Sequence, residues 1–324
     1  MTLPELHIVN PEPKDSRPQR PLKVGLNLPT VEGTMAGKTA GWADLLTFAQ
    51  RAEALGFDSL WVPDHLLLQW GERTQGVWEC WSLLAALAAV TRRIELGPLV
   101  SASSFRNPAL LAKMAATVDE ISGGRLTLGL GAGWSGVEDR AFGVPSDHRV
   151  DRFEEALQII VPLLRTGHLD FDGRYYQARD CELRPRGPRP SGPPILIGAK
   201  GPRMLRLAVR FADAWNAEGP LRQPEQFTAL RASADVACAE IGRDPATLGR
   251  SASVVIELPI ASGRSEKGER VHGAASSPTS AEECAQLLRT YGRAGLDHIQ
   301  LWLTPNTIEG LEWFAPVLPL LDQG

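Results

Sequence analysis

Phe105-Arg106-Asn107-Pro108, an apolar helical run, Ile121-Ser122-Gly123-Gly124-Arg125 and then Leu126-Thr127-Leu128-Gly129-Leu130-Gly131-Ala132-Gly133-Trp134 form the stretch that decides the fold. It reads as loop, helix, tight turn, buried strand and glycine-rich loop. Asn107 is suited to cap the helix and Pro108 to occupy its first position. Leu111, Met114, Ala115 and Val118 fall at helical spacing and make an apolar stripe. Gly123-Gly124 breaks the chain. Leu126 to Leu130 is a short apolar run, as in a strand covered on both faces. The glycine loop then opens at the strand's carboxyl end, where parallel α/β folds place their chemistry.

Outward from this unit, the same alternation continues. Strands are expected at Lys23–Leu28, Ser59–Val62, Ile94–Val100, Pro194–Ile197, Asp213–Asn216, Ser253–Leu258 and His298–Leu303. Helices are expected at Trp42–Leu55, Cys80–Val90, around Val150 to Leu164, from Pro202, at Pro224–Ile241, after the capping box Ser280/Glu283, and at Glu309–Leu321. Eight strand–helix units predict a closed α/β barrel, a single (β/α)8 TIM barrel over 22–324, rather than an open sheet. Residues 1–21, polar with five prolines, read as a disordered lead. Residues 166–193 interrupt the rhythm as an insertion between the fourth helix and the fifth strand, with an Asp172-Gly173 hairpin signal. Residues 261–278, rich in Gly, Ser and charge, read as a mobile loop.

Composition narrows the function. A formal charge of −4 over 324 residues, without a basic patch, argues against nucleic acid. No apolar run reaches the roughly 18 residues of a membrane span. Four scattered cysteines suit a reducing, cytoplasmic setting and suggest neither disulfide framework nor zinc site.

Gly131-Ala132-Gly133-Trp134-Ser135-Gly136 formally fits the dinucleotide fingerprint. No amphipathic helix is expected directly after it, and Asp151, about 20 residues on, falls inside a helix, so that reading is set aside. Gly198-Ala199-Lys200-Gly201-Pro202-Arg203 is the best anion site: a strand ends, small residues expose N–H groups and a helix begins, with Lys200 or Arg203 to add charge. An ordinary αβ turn remains its plainer alternative. Asp64-His65 follows the second strand at the active face. His65 is suited to exchange a proton there, with Asp64 orienting it or capping the next segment. Glu138, five residues past Gly133, is either a surface carboxylate or a second proton group. Trp61, Trp134, Trp215 and Trp302, near strand ends, together suggest an apolar pocket at the barrel mouth.

With Gly56–His65, Pro194–Arg203 and Phe211–Asn216, the 105–134 stretch resembles the luciferase-like flavin and deazaflavin oxidoreductases, over roughly residues 22 to 321. The resemblance implies that Gly131, Gly133 and Trp134 border the cofactor ring. Gly198, Ala199, Lys200, Gly201 and Arg203 would hold its phosphate, with Asn216 on the next strand. A non-prolyl cis peptide behind the ring would fall at Leu99-Val100. The sugar-phosphate dehydrogenases of the family carry a carboxylic acid where this chain has Trp134, which argues against glucose 6-phosphate as substrate. The expected activity is hydride transfer between the deazaflavin coenzyme F420 and a small organic molecule. The alternative is an FMN-dependent monooxygenase using reduced flavin and O2, supplied by a flavin reductase. A non-catalytic flavin-binding barrel is the alternative of another class. The resemblance also implies a homodimer.

Overall fold

The structure, a computed structural model, describes residues 20–134, 136–260 and 277–323. β1 (Lys23–Asn27), α1 (Trp42–Leu55) and β2 (Ser59–Val62) open the chain, followed by a hairpin of β3 (Leu67–Trp70) and β4 (Arg73–Gly76). Next come α2 (Cys80–Val90), β5 (Glu95–Pro98), β6 (Ser101–Ala102), α3 (Pro108–Ser122) and β7 (Leu128–Gly131). After α4 (Gly136–Phe142) and α5 (Arg149–Thr166), a second hairpin is made by β8 (His168–Asp172) and β9 (Gln177–Glu182). β10 (Ile195–Ala199), α6 (Pro202–Phe211), β11 (Ala214–Leu221), α7 (Pro224–Glu240) and β12 (Gly249–Glu257) follow. The last elements are α8 (Ala281–Arg293), β13 (His298–Thr304), α9 (Ile308–Phe314) and α10 (Val317–Asp322).

The main sheet runs β5-β2-β1-β13-β12-β11-β10-β7-β6, with every pair parallel. A bridge between Leu96 and Leu126 joins its ends, with Thr127 donating to the Leu96 carbonyl at 2.8 Å. β5 and β6 are the two halves of one strand, so the architecture is the expected (β/α)8 barrel. The expected continuous strand Ile94–Val100 is broken. Leu99 N–H still pairs with β2 through the Val62 carbonyl, but Ser101 pairs with Leu130 of β7. The Leu99–Val100 peptide between these two registers is cis.

Local signals explain the elements. The Asn107 side chain caps α3, accepting from Ala109 N–H at 2.9 Å and Leu110 N–H at 3.2 Å, and Gly123 ends it in the left-handed region at φ 67°. One barrel-filling side chain, Trp61, lies buried with its indole N–H donating to Ser59 Oγ at 2.7 Å. A Cβ on Gly97 would stand 2.6 Å from that ring, so the glycine is what lets an indole occupy the barrel interior.

Four expectations are corrected. A short helix, α4, does open directly after the glycine loop; Gly143 at φ 69° ends it within two turns, too short to show a stripe. The dinucleotide reading fails instead on topology, because the preceding strand is an interior member of a closed barrel. The closing helix is two helices, α9 and α10, separated at Ala315-Pro316. The Asp172-Gly173 hairpin has a four-residue connection, with Asp172 paired to Gln177. Trp215 does not line the mouth: it is buried, stacks on Phe227 of α7 and donates to the Ala199 carbonyl at 2.9 Å. The lead, up to residue 19, and most of the loop expected at 261–278 lie outside the described residues.

Candidate active site

Two loops meet over the barrel mouth beside β2. The first is 63–67, directly after β2. The second follows β7 and ends in α4, whose first turn presents Glu138. Glu138 is buried and accepts three hydrogen bonds: from His65 Nδ1–H at 2.8 Å on Oε1, and from Leu66 N–H at 2.8 Å and Leu67 N–H at 3.2 Å on Oε2. Burial disfavours its charge, but the hydrogen bond from His65 and the two backbone donors outweigh it, holding the carboxyl below its ordinary value. An ionised acceptor at Nδ1 places the histidine proton on that nitrogen and leaves Nε2 available for proton exchange. The His65 side chain is 19% exposed, and Trp134 stands edge-on to it with ring centroids 5.3 Å apart. Trp134 is itself 57% exposed, an outer wall rather than a buried one.

Asp64 does not orient His65, the reverse of what adjacency in sequence suggests. Alternation along the extended chain turns it away. It is buried, accepting from Ser101 Oγ–H at 2.8 Å, from Ala102 N–H at 3.1 Å, and from both arms of Arg106 at 2.6 and 3.0 Å. Glu138 takes the orienting part.

On the strands next round the barrel from β2, past β5 and β6, glycines stand at the ends of β7 and β10. Val100 projects between them: a Cβ on Gly131 would stand 2.7 Å from a Val100 methyl, and one on Gly198 3.1 Å from it. Gly133 sits at φ 78° in the loop above. The missing side chains at Gly131 and Gly198 thus leave room for the Val100 side chain, which stands over both strand ends. At the end of β10, Ala199 is buried and Lys200 exposed, and Gly201 at φ 78° caps α6, with open space where a Cβ would stand. Free N–H groups at that helix start suit a phosphate. Arg203 is less available than expected, because its guanidinium is tied to Asp151 at 2.5 Å and Glu154 at 3.0 Å on α5. With them it lines an open cleft of about 300 Å³ that also includes Arg174 and Tyr175. Asn216 points into the barrel, donating to Ser251 Oγ at 2.9 Å and Gln300 Oε1 at 3.0 Å, and ties three strands together.

The structure therefore brings His65, Glu138 and Trp134 together, with Leu99-Val100, Gly131 and Gly198 on the adjacent strands. Arg106, Ser101 and Glu79 are site-building residues that sequence reasoning missed. The available signal was an arginine placed directly before a helix cap, in a loop that follows a strand end.

A sequence model described as luciferase-like monooxygenase matches residues 22–295. The chain belongs to the luciferase-like monooxygenase family. Among relatives in this family, it is 34% identical over 200 residues to a 5,10-methylenetetrahydromethanopterin reductase of Archaeoglobus fulgidus, covering 62% of this chain and 56% of that protein. It is 35% identical over 181 residues to an F420-dependent glucose-6-phosphate dehydrogenase of Amycolatopsis mediterranei, covering 54% and 53% respectively. The chain thus spans little more than half the length of these luciferase-like relatives. The fold matches an F420-dependent secondary alcohol dehydrogenase, solved with an F420-acetone adduct, at a TM-score of 0.76 and 20% identity, over 92% of this chain and 98% of that one.

Proposed function

We propose that this protein is a deazaflavin-dependent oxidoreductase that moves a hydride between coenzyme F420 and a small organic alcohol or carbonyl compound. The observation that carries the reading is the His65–Glu138 pair at 2.8 Å, set beside the cis Leu99–Val100 peptide and the glycine ends of β7 and β10. The relative named as F420-dependent supports the cofactor assignment. The bound deazaflavin would supply or accept the hydride. Val100, seated in the space that Gly131 and Gly198 leave, would support its ring. The N–H groups of the first turn of α6 and the Lys200 ammonium would hold its phosphate. His65 Nε2 takes the hydroxyl proton from an alcohol or returns it to a carbonyl, while Glu138 keeps the opposite nitrogen protonated. Trp134, standing where the family's sugar-phosphate enzymes carry an acid, favours an apolar substrate over glucose 6-phosphate.

The second reading, an FMN-dependent monooxygenase fed by a flavin reductase, rests on the family's own description. In either reading the protein would act in the cytoplasm as a homodimer. Four free cysteines, and no helix long and apolar enough to cross a membrane among the described residues, are consistent with that setting.

Fluorescence titration with deazaflavin and with reduced FMN separates the readings. Tight binding of deazaflavin alone is expected; tight binding of reduced FMN alone would overturn the assignment. Lys200→Glu changes an exposed side chain and should weaken deazaflavin binding about tenfold, or 1.4 kcal/mol. Unchanged affinity would remove the phosphate from this turn.

A further inference from the structure

A polar network centred on Asp64 and Arg106 lies beside the site rather than in it. Asp64 is fully desolvated, yet its carboxylate meets four donors: Ser101 Oγ–H, Ala102 N–H and the two arms of Arg106. Arg106 is itself 11% exposed in its side chain, and its second arm also reaches Glu79 Oε1 at 2.5 Å. Glu79 in turn caps α2, accepting from Trp81 N–H at 3.2 Å and Ser82 N–H at 2.7 Å. The Trp81 indole closes the circuit by donating to Ser101 Oγ at 3.1 Å. A fork donor bridging a buried carboxylate, Asp64, and a half-exposed one, Glu79, fixes direction as well as distance, which a lysine ammonium does not.

The two chain segments that this network joins carry the two sides of the site. Asp64 directly precedes His65, the proton group. Ser101 and Ala102 directly follow Val100, which stands over Gly131 and Gly198. Among the described residues, the Asp64 carboxylate makes the side-chain hydrogen bonds that join the 63–65 segment to the 100–102 segment. A carboxylate placed there costs desolvation that an apolar pair would avoid, and such groups persist where a unique geometry is needed.

We propose that Arg106 is a positioning residue: through Asp64 it sets the separation and angle between His65 and Val100. The proposal rests on the reading of His65 as the proton group. Arg106 touches neither substrate nor cofactor. Its effect on the reaction passes through the 64–65 and 100–102 backbone, so losing the fork should misplace His65 while leaving the phosphate turn at 198–203 untouched.

The test is a double-substitution cycle of Arg106→Lys and Asp64→Asn, with two readouts. The first, on cofactor-free protein, is the ring 15N signal of His65, assigned by its loss in His65→Asn. The second is turnover and deazaflavin dissociation constant for the holoenzyme, using a panel of alcohols and ketones. Each single variant should move the His65 signal and lower kcat at least tenfold, with cofactor affinity within threefold of the parent. The double variant should be no worse than the poorer single one, because both remove the same connection. Should Arg106→Lys fail to fold, Asp64→Asn keeps an acceptor for Ser101 and Ala102 and gives the same readouts. An unmoved His65 signal, or losses that simply add, would overturn the proposal. So would a fall in cofactor affinity that matches the fall in kcat. If the parent binds no deazaflavin, the functional reading fails, while the cofactor-free His65 signal still decides whether the clamp positions the histidine.

Discussion

His65 and His298 stand at opposite ends of neighbouring parts of one barrel, and the chain treats them oppositely. At the mouth, His65 receives a buried, ionised partner, Glu138, at 2.8 Å. At the floor, the start of β13, His298 receives a neutral hydroxyl: its Nε2 lies 2.7 Å from Ser59 Oγ, and its ring sits edge-on to Trp61. Burial, assisted by the nearby Lys23 ammonium, pushes His298 down to about 3 from an ordinary value of 6.5. The barrel thus disfavours the charged form of one histidine by desolvation and gives the other a carboxylate partner. A histidine's role follows from the partner its backbone position allows, and strand position decides that partner: carboxyl-end loops can bring in a distant acid, whereas the strand start meets only its barrel neighbours.

The comparison breaks most sharply at His65. His65→Asn keeps a hydrogen-bonding side chain but ends proton exchange, so turnover should fall by roughly 10²-fold or more with cofactor affinity little changed. Retained turnover with weakened cofactor binding would make His65 a holder of the cofactor instead. Glu138→Gln should cost less, about tenfold in turnover, because His65 survives but its tautomer is no longer imposed. A stopped-flow measurement of the hydride step checks both.

His298→Asn sharpens the other side. Turnover should stay within about twofold. Its signature is in stability. A histidine whose folded value is lowered binds protons better unfolded, so its contribution is complete above about pH 6.5 and is lost as pH falls from there towards 3. Removing it should flatten the pH dependence of the melting temperature in that window. An unchanged acid slope would show that His298 is solvated.

The barrel was legible because its signals are local. Asn107-Pro108, Gly123-Gly124 and the β7 run each announce themselves within a few residues, and the starts of seven helices fall within two residues of expectation. The site was legible by residue but not by pairing. Asp64 and Glu138 were both visible as candidates, yet adjacency favoured Asp64 as the partner of His65. The 73-residue separation of His65 and Glu138 is closed only by the fold. Extended geometry at 63–65 sends neighbouring side chains to opposite sides, which gives Asp64 to Arg106 and His65 to Glu138. The helix α4 that delivers Glu138 was missed because seven residues ended by a glycine carry too little periodicity to register.

The central claim is that Glu138 holds His65 with its proton on Nδ1 and leaves Nε2 for the reaction. Two-bond 1H–15N spectra of the cofactor-free protein, with the His65 signal assigned from His65→Asn, read this directly. In the parent, at a pH where the ring is neutral, Nδ1 should carry the proton and Nε2 should show the shift of an unprotonated nitrogen; Glu138→Gln should abolish that preference. A ring protonated at Nε2, or a tautomer indifferent to Glu138→Gln, would contradict the account.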